Sequence, residues 1–151
     1  LLAPGPPRDM SEGWETARRR TPGHEWVQVR LGVPGRLRLL ELDTTHYLHN
    51  APAAVEVSDG QGRPLLARTM IAPDTRARFP VDALAEELIL RIHPDGGVAR
   101  LRAWGTPTSA GLAQAWARWE QTGAAGTGAA GTGAAETGTA ETGTAETGTS
   151  R

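Results

Sequence analysis

Residues 87–93, Glu-Leu-Ile-Leu-Arg-Ile-His, decide the fold class of this chain. Leu88, Leu90 and Ile92 fall on one face of an extended segment, because successive side chains of a strand point to opposite faces. His93 and its charged neighbours fall on the other face. This alternation is typical of a β-strand with one buried face, so the stretch predicts a half-buried strand.

Further short runs of apolar residues surround this strand and are separated by turn signals. Gly32, Pro34 and Gly35 interrupt one pair of runs, and residues 93–97, His-Pro-Asp-Gly-Gly, are typical of a turn. Pro80 favours an edge position for the run that contains it. The spacing predicts an all-β fold over residues 11–106, an antiparallel β-sandwich or jelly roll. The other predicted strands are 26–31, 37–42, 54–57, 76–81 and 98–104.

Residues 107–121 change to a helical period. Apolar residues recur three and four positions apart, which predicts a short amphipathic C-terminal helix. Thr108 or Ser109 is the expected cap, and Gly123 is expected just beyond the helix. The favoured interpretation is a helix packed on the sandwich, and the alternative is a helix that binds a partner. The apolar face consists of Leu112, Ala115, Trp116 and Trp119.

Both ends of the chain differ in composition from the middle. Residues 1–10 contain three prolines and are interpreted as a linker or as the truncated leader of a longer chain. Residues 122–151 form six pentads of the type TGAAG or TGTAE, without Val, Ile, Leu, Met or aromatic residues. Such a segment has no apolar surface to bury, so a disordered tail is predicted. The low hydrophobic fraction of the whole chain, 38%, belongs to this tail.

The composition excludes several classes of protein. The chain has no cysteine, so disulfides, thiol nucleophiles and Cys-ligated zinc are excluded. A net charge of −1 argues against bulk nucleic-acid binding, and no apolar run approaches membrane-spanning length. His24, His46 and His49 are scattered without a helical pair, which is a weak ligand pattern. We therefore predict neither a metal nor a cofactor.

Three polar clusters lie in the predicted loops or at strand ends, where sandwiches commonly carry their sites. They span residues 13–26, 43–52 and 94–102. Each has a purely structural alternative. The three arginines of the first cluster could be a solvated patch, Asp43 and His46 could close a turn, and the third cluster could be only a tight hairpin.

The motifs in these clusters resemble a known family. GWETARRRTPGHEWVQVRLGVPG at 13–35, LDTTHYLHNAP at 42–52 and PDGGVARLRAWG at 94–105 are similar, in this order and spacing, to the repeat unit of bacterial allantoicases. RTMIAPDTRARF at 68–79 also resembles a segment of that family. The resemblance implies a galactose-binding-domain-like jelly-roll β-sandwich.

The resemblance also implies an activity, the hydrolysis of allantoate to ureidoglycolate and urea in allantoin and purine degradation. Such a site has to hold a carboxylate, for which arginine is suited, hydrogen-bond two ureido groups, and move protons. The motif residues that offer these groups are His46, Asp43 and His24 for proton transfer, and Glu15, Arg18, Arg19, Arg20, Asn50 and Arg100 for substrate binding.

The chain departs from the family in two ways. Each motif occurs once, whereas the family has two repeats in tandem, and His49 stands where the family has glycine. The expected partners are therefore the small-molecule substrate allantoate and either a second repeat or further copies in a homo-oligomer, in the cytoplasm, without nucleic acid or membrane. The alternatives are a non-catalytic module that binds a small polar ligand or carbohydrate, and a structural repeat.

Overall fold

The fold consists almost entirely of antiparallel strands. The computed structural model describes residues 1–124 and 141–144. Two long strands are central, and three of the other described strands pair with them. In chain order the elements are a 3-10 turn (Met10–Glu12), β1 (Trp14–Glu15), β2 (Glu25–Asp43), β3 (Ala54–Asp59), β4 (Pro64–Met70), β5 (Arg76–His93), β6 (Gly97–Val98), β7 (Arg100–Pro107), α1 (Ser109–Ala124) and β8 (Glu141–Thr144).

Strands β2 and β5 each contribute to both layers of a sandwich. The main sheet has the order β4-β3-β5-β2-β7, and β1 pairs separately with β6. Near its end, β5 lies between β2 and β3, whereas β7 pairs with the second half of β2. The β2–β5 register shifts between Arg30 and Gly35, so the two strands bend together there. Residues 26–31 and 37–42, predicted as two strands, are therefore two halves of one bulged strand.

The core lies between these two halves. Leu88, Leu90 and Ile92 are at most 1% exposed, as their alternation predicts. They belong to one apolar cluster with Leu40 and Leu42 from the second half of β2. Each such side chain stabilises the fold by about 1.5–3 kcal/mol through burial. The all-β jelly-roll sandwich predicted from the sequence is thus confirmed.

Helix α1 begins where the sequence indicates but does not pack as favoured. The Thr108 hydroxyl accepts a hydrogen bond from Gly111 N at 3.0 Å, which identifies Thr108 as the cap. The helix continues through Gly123 to Ala124. Trp116 and Trp119 are 62% and 69% exposed, so the favoured interpretation of a packed apolar face is wrong. The helix contacts β2 and β7, and Arg118 donates a hydrogen bond to Gly32 O in the bend of β2.

The disorder predicted for residues 122–151 falls mostly outside the described residues. Residues 122–124 continue α1, and residues 141–144 form β8 along the outer edge of the first half of β2. Within the described ranges, no helix is long and apolar enough to cross a membrane.

Candidate functional site

The loops that carry the three sequence clusters meet at one end of the sandwich. Because β2 bends, both of its ends reach this open end. Ala99 N donates to Asp43 O at 2.7 Å, and Gly97 N donates to Asn50 O at 2.8 Å. Thr16 N donates to Gly96 O at 3.0 Å. The open end is thus a single surface made of residues 13–24, 44–53 and 93–99.

Tyr47 is the buried centre of the open end. It is fully buried, and its hydroxyl donates to Met10 O at 2.8 Å. A Cβ on Gly97 would lie 1.9 Å from the Tyr47 ring, and one on Gly13 would lie 2.1 Å from its hydroxyl oxygen. These glycines of the GWE and PDGG motifs are therefore required by the close approach of the tyrosine. The predicted site residues around it form two groups, which differ in their hydrogen-bond partners.

The first group is accessible and includes the predicted ureido-binding pair. Asn50 Nδ2 donates to Glu15 Oε1 at 2.5 Å, which joins the first cluster to the second. Glu15, Arg18 and Arg20 are exposed. Neither Arg18 nor Arg20 has an ion pair with another described residue. Two unpaired guanidinium groups therefore lie in the same loop as an amide–carboxylate pair.

Arg19 fixes this loop rather than facing solvent. Its backbone N–H donates to Asp95 Oδ2 at 2.6 Å, and its guanidinium donates to Glu25 Oε1 at 2.5 Å. Its Nη1 also donates to His24 O at 3.4 Å. Only 11% of the Arg19 side chain is exposed. Arg19 thus positions His24 and the loop that bears its two neighbouring arginines.

His24 contacts a second histidine that the sequence analysis missed. The rings of His24 and His93 have centroids 5.1 Å apart and are tilted by 46°. His93 is 6% exposed, although its alternation with Leu90 and Ile92 indicates the solvent face. The signal that could have revealed it is its position directly before the Pro-Asp-Gly-Gly turn.

The histidine pair lies beside a carboxylate and two arginines. His93 Nε2 lies 2.8 Å from Glu56 Oε1, which is an ion pair when the histidine is protonated. Burial lowers the pKa of His93, Arg68 lowers it further, and Glu56 opposes both. Burial likewise lowers the pKa of His24, together with Arg91, and Glu56 again opposes. Both rings are therefore neutral at pH 7 and able to accept a proton.

The second group lies on the side of Tyr47 that is covered by residues 1–12, the N-terminal segment named the leader here for its position in this chain. Asp43 is fully buried, and its carboxylate accepts hydrogen bonds from Thr45 N at 2.9 Å and Arg76 Nε at 3.1 Å. Burial alone would raise the pKa of Asp43, but these hydrogen bonds and the Arg76 charge lower it. His46 has φ 74° and its Nε2 lies 3.2 Å from Pro7 O. Asp43 and His46 therefore have separate partners.

Arg100, predicted to bind substrate, is 1% exposed. Its Nη2 lies 2.6 Å from Glu12 Oε2, and its Nη1 donates to Glu12 O and Ala99 O at 2.9 and 2.7 Å. Nε donates to Gly5 O at 3.3 Å. The guanidinium is thus occupied by the leader, and a substrate contact for Arg100 would require the leader to move.

Among the described residues, neither a metal cluster nor the cleft at the bend of the sandwich coincides with the predicted site residues. In residues 1–124 and 141–144, no three His, Asp or Glu side chains are grouped so that they could hold a metal ion. A cleft of about 250 Å³ lies at the bend of the sandwich, lined by Gly35, Asp59 and Arg63 among others. It contains none of the predicted site residues, so the open end stays the candidate site.

The fold and the open end define a galactose-binding-like sandwich whose loops carry a polar site. Residues 2–108 match the family model described as the allantoicase repeat, and the chain belongs to the allantoicase family. It is 53% identical over 112 residues to a "Probable allantoicase" of Nocardia farcinica, an alignment that covers 70% of this chain and 34% of that protein. A "Probable allantoicase" of Streptomyces coelicolor is 40% identical over 129 residues, covering 81% and 34%.

Solved structures agree with the sequence relatives. The crystal structure of allantoicase from Saccharomyces cerevisiae superposes with a TM-score of 0.66 at 35% identity, covering 70% of this chain and 35% of that one. The chain spans about a third of the length of the curated relatives that it matches. This share agrees with a single repeat of a larger protein.

Proposed function

We propose that this chain supplies one repeat of an allantoicase, which hydrolyses allantoate to ureidoglycolate and urea. The observation that carries the proposal is the grouping, at one open end, of unpaired arginines, an amide–carboxylate pair and a neutral histidine. Membership of the allantoicase family supports it. The substrate offers a carboxylate and two ureido groups, which are the complements of these side chains.

In this proposal, each accessible residue has a distinct role. Arg18 and Arg20 donate to the carboxylate, because guanidinium groups bind carboxylates through two parallel hydrogen bonds. Glu15 accepts from ureido N–H groups, and Asn50 donates to a ureido oxygen. His24 accepts the proton of the attacking water.

The residues under the leader have a conditional role in the same proposal. His46 would act as a proton-transfer group once residues 1–12 leave it, and Asp43 would do so once it is released from Arg76. Arg100 would reach substrate after release from Glu12. Arg19 acts through the loop that it holds.

We further propose that the working protein is an assembly in the cytoplasm. The chain spans a third of its relatives, so a second repeat or another copy of the chain would complete the enzyme. The exposed Trp116 and Trp119 offer apolar surface for such an assembly. Gel filtration of the purified chain, coupled to light scattering, measures the oligomeric state directly.

The test is a coupled urea assay on the purified chain and on any longer protein that contains it. Arg18→Gln and Arg20→Gln should each raise the KM for allantoate by about 10-fold or more, because charge-assisted hydrogen bonds are worth about 1.5–3 kcal/mol. Arg38→Gln is the matched control, because Arg38 is 59% exposed and pairs with Asp82 near the bend. Thermal stabilisation by allantoate without urea release from either protein would refute the hydrolase and favour a binding module.

A further inference from the structure

Three side chains from three neighbouring elements converge beside the open end. His93 ends β5, Glu56 lies in β3, and His24 directly precedes β2. In the strand register, Ala54 lies opposite His93 and Glu56 lies opposite Arg91, so Glu56 and His93 share a face of the sheet. His93 is 6% exposed, and its Nε2 lies 2.8 Å from Glu56 Oε1.

A carboxylate at hydrogen-bond distance from a buried imidazole favours the protonated form of that ring. Glu56 has this effect on the pKa of both rings, because it opposes the lowering caused by burial at His24 and at His93. The carboxylate is therefore placed to stabilise a positive charge that develops on the histidine pair.

We propose that His24, His93 and Glu56 form a proton-transfer relay, in which His93 and Glu56 are positioning residues that act through the ring of His24. The inference rests on the proposed function and adds residues and a mechanism to it. None of the family motifs quoted above contains Glu56.

Within the relay, the ring of His24 takes one proton and gives one back, and His93 and Glu56 carry none. The oxygen of water forms a bond to the central carbon of allantoate, and the electron pair of the breaking C–N bond stays on the urea nitrogen. The proton that water loses passes to His24, and His24 returns a proton to the departing urea nitrogen. Between these steps His24 is an imidazolium, and the carboxylate of Glu56 stabilises that charge while His93 stays neutral.

The charges around the relay determine where it titrates. Arg91 of β5 and Arg19 face His24 and favour its neutral form, whereas Glu25 and Glu56 favour the charged form. Arg68 of β4 and His24 favour the neutral form of His93, whereas Glu56 favours its charged form. Removing Glu56 and removing Arg91 should therefore shift the titration of His24 in opposite directions.

This opposition gives a test that a merely structural role would not reproduce. The pH dependence of kcat/KM is measured for the wild type, Glu56→Gln and Arg91→Gln, with kcat and KM separated. The acid limb, below which His24 is protonated, should move down by about 0.5–1 pH unit in Glu56→Gln and up by a similar amount in Arg91→Gln. The KM at pH 8 should be unchanged in Glu56→Gln. Glu86→Gln, at an exposed position away from the open end, is the matched control and should leave the profile unchanged.

NMR titration of the histidine rings in the same proteins separates the possible failures. Glu56→Gln should lower the apparent pKa of the His24–His93 pair even without substrate. Turnover with an unmoved acid limb, or ring titrations that Glu56→Gln leaves unchanged, overturns the relay alone. Absence of urea release from the wild-type chain and from the longer protein refutes the proposed function, and with it the catalytic role of the relay.

Discussion

Replacing Arg100 with methionine separates a structural role from a substrate-binding role. Methionine keeps an apolar stem of similar length but removes the guanidinium. The wild-type group is 1% exposed and is bonded to the Glu12 carboxylate and to the carbonyl oxygens of Gly5, Glu12 and Ala99. The variant thus deprives the leader of most of its polar attachment to β7.

The expected loss follows from the burial of these contacts. Breaking a buried ion pair from one side costs about 3–5 kcal/mol. The Glu12 side chain is 20% exposed and keeps Arg8 as a partner, so the lower end of this energy range applies. We expect the free energy of unfolding to fall by about 3 kcal/mol, a large share of the 5–15 kcal/mol typical of a domain.

Urea denaturation followed by tryptophan fluorescence measures this loss. Limited trypsin digestion should also cleave after Arg8 faster in the variant, because the leader is released. Arg30→Met is the control. Its side chain is 71% exposed and its ion pair with Glu87 is long, 3.4 Å, so a change below about 0.5 kcal/mol is expected. This reasoning would be refuted if the free energy of unfolding of Arg100→Met lay within about 1 kcal/mol of the wild-type value while its KM for allantoate rose tenfold or more. Arg100 would then be a substrate-binding residue.

Three further predictions concern stability. Gly97→Ala should lower the free energy of unfolding by about 2–3 kcal/mol in thermal denaturation, because its Cβ would lie 1.9 Å from the buried Tyr47 ring. Gly32→Ala has open space around its Cβ and should lower it far less. Equal effects of the two substitutions would refute the close approach. Arg8 and Arg100 lower the pKa of Glu12 from 4.5 to about 2, so the stability that Glu12 contributes above pH 4.5 should be lost as the pH falls toward 2. In Glu12→Gln, the free energy of unfolding from urea denaturation at pH 2–6 should therefore depend less steeply on pH. An unchanged pH dependence would contradict this. Trp116→Gln should change the free energy of unfolding by less than about 0.5 kcal/mol, because that side chain is 62% exposed; a loss above 2 kcal/mol would indicate a packed helix.

The alternation of Leu88, Leu90 and Ile92 was sufficient to predict a buried strand face, because a period of two is a local property of the chain. The same alternation was wrong for the exposure of His93. His24 covers it, and that contact joins residues 69 positions apart. The period of apolar residues within one strand carries no information on a contact between distant histidines.

The sequence also predicted only the local part of the candidate site. The local motifs indicated the loops correctly, since Glu15 and Asn50 meet across the open end. They did not indicate that Tyr47 and the leader would separate Asp43 from His24. That division depends on long-range contacts such as Tyr47 with Met10, which no spacing within one motif encodes.

The bulge in β2 has a consequence for engineering. The ends of this strand carry opposite sides of the open end, yet its register shifts in between, around residues 31–35. A bulge can take up an added or deleted residue without inverting the alternation of the flanking segments. One-residue changes at 32–34 would therefore alter the offset between the two halves of the strand while leaving both buried faces intact. The bend is thus a remote adjustment point for the geometry of the open end, reached without substituting any residue that touches substrate.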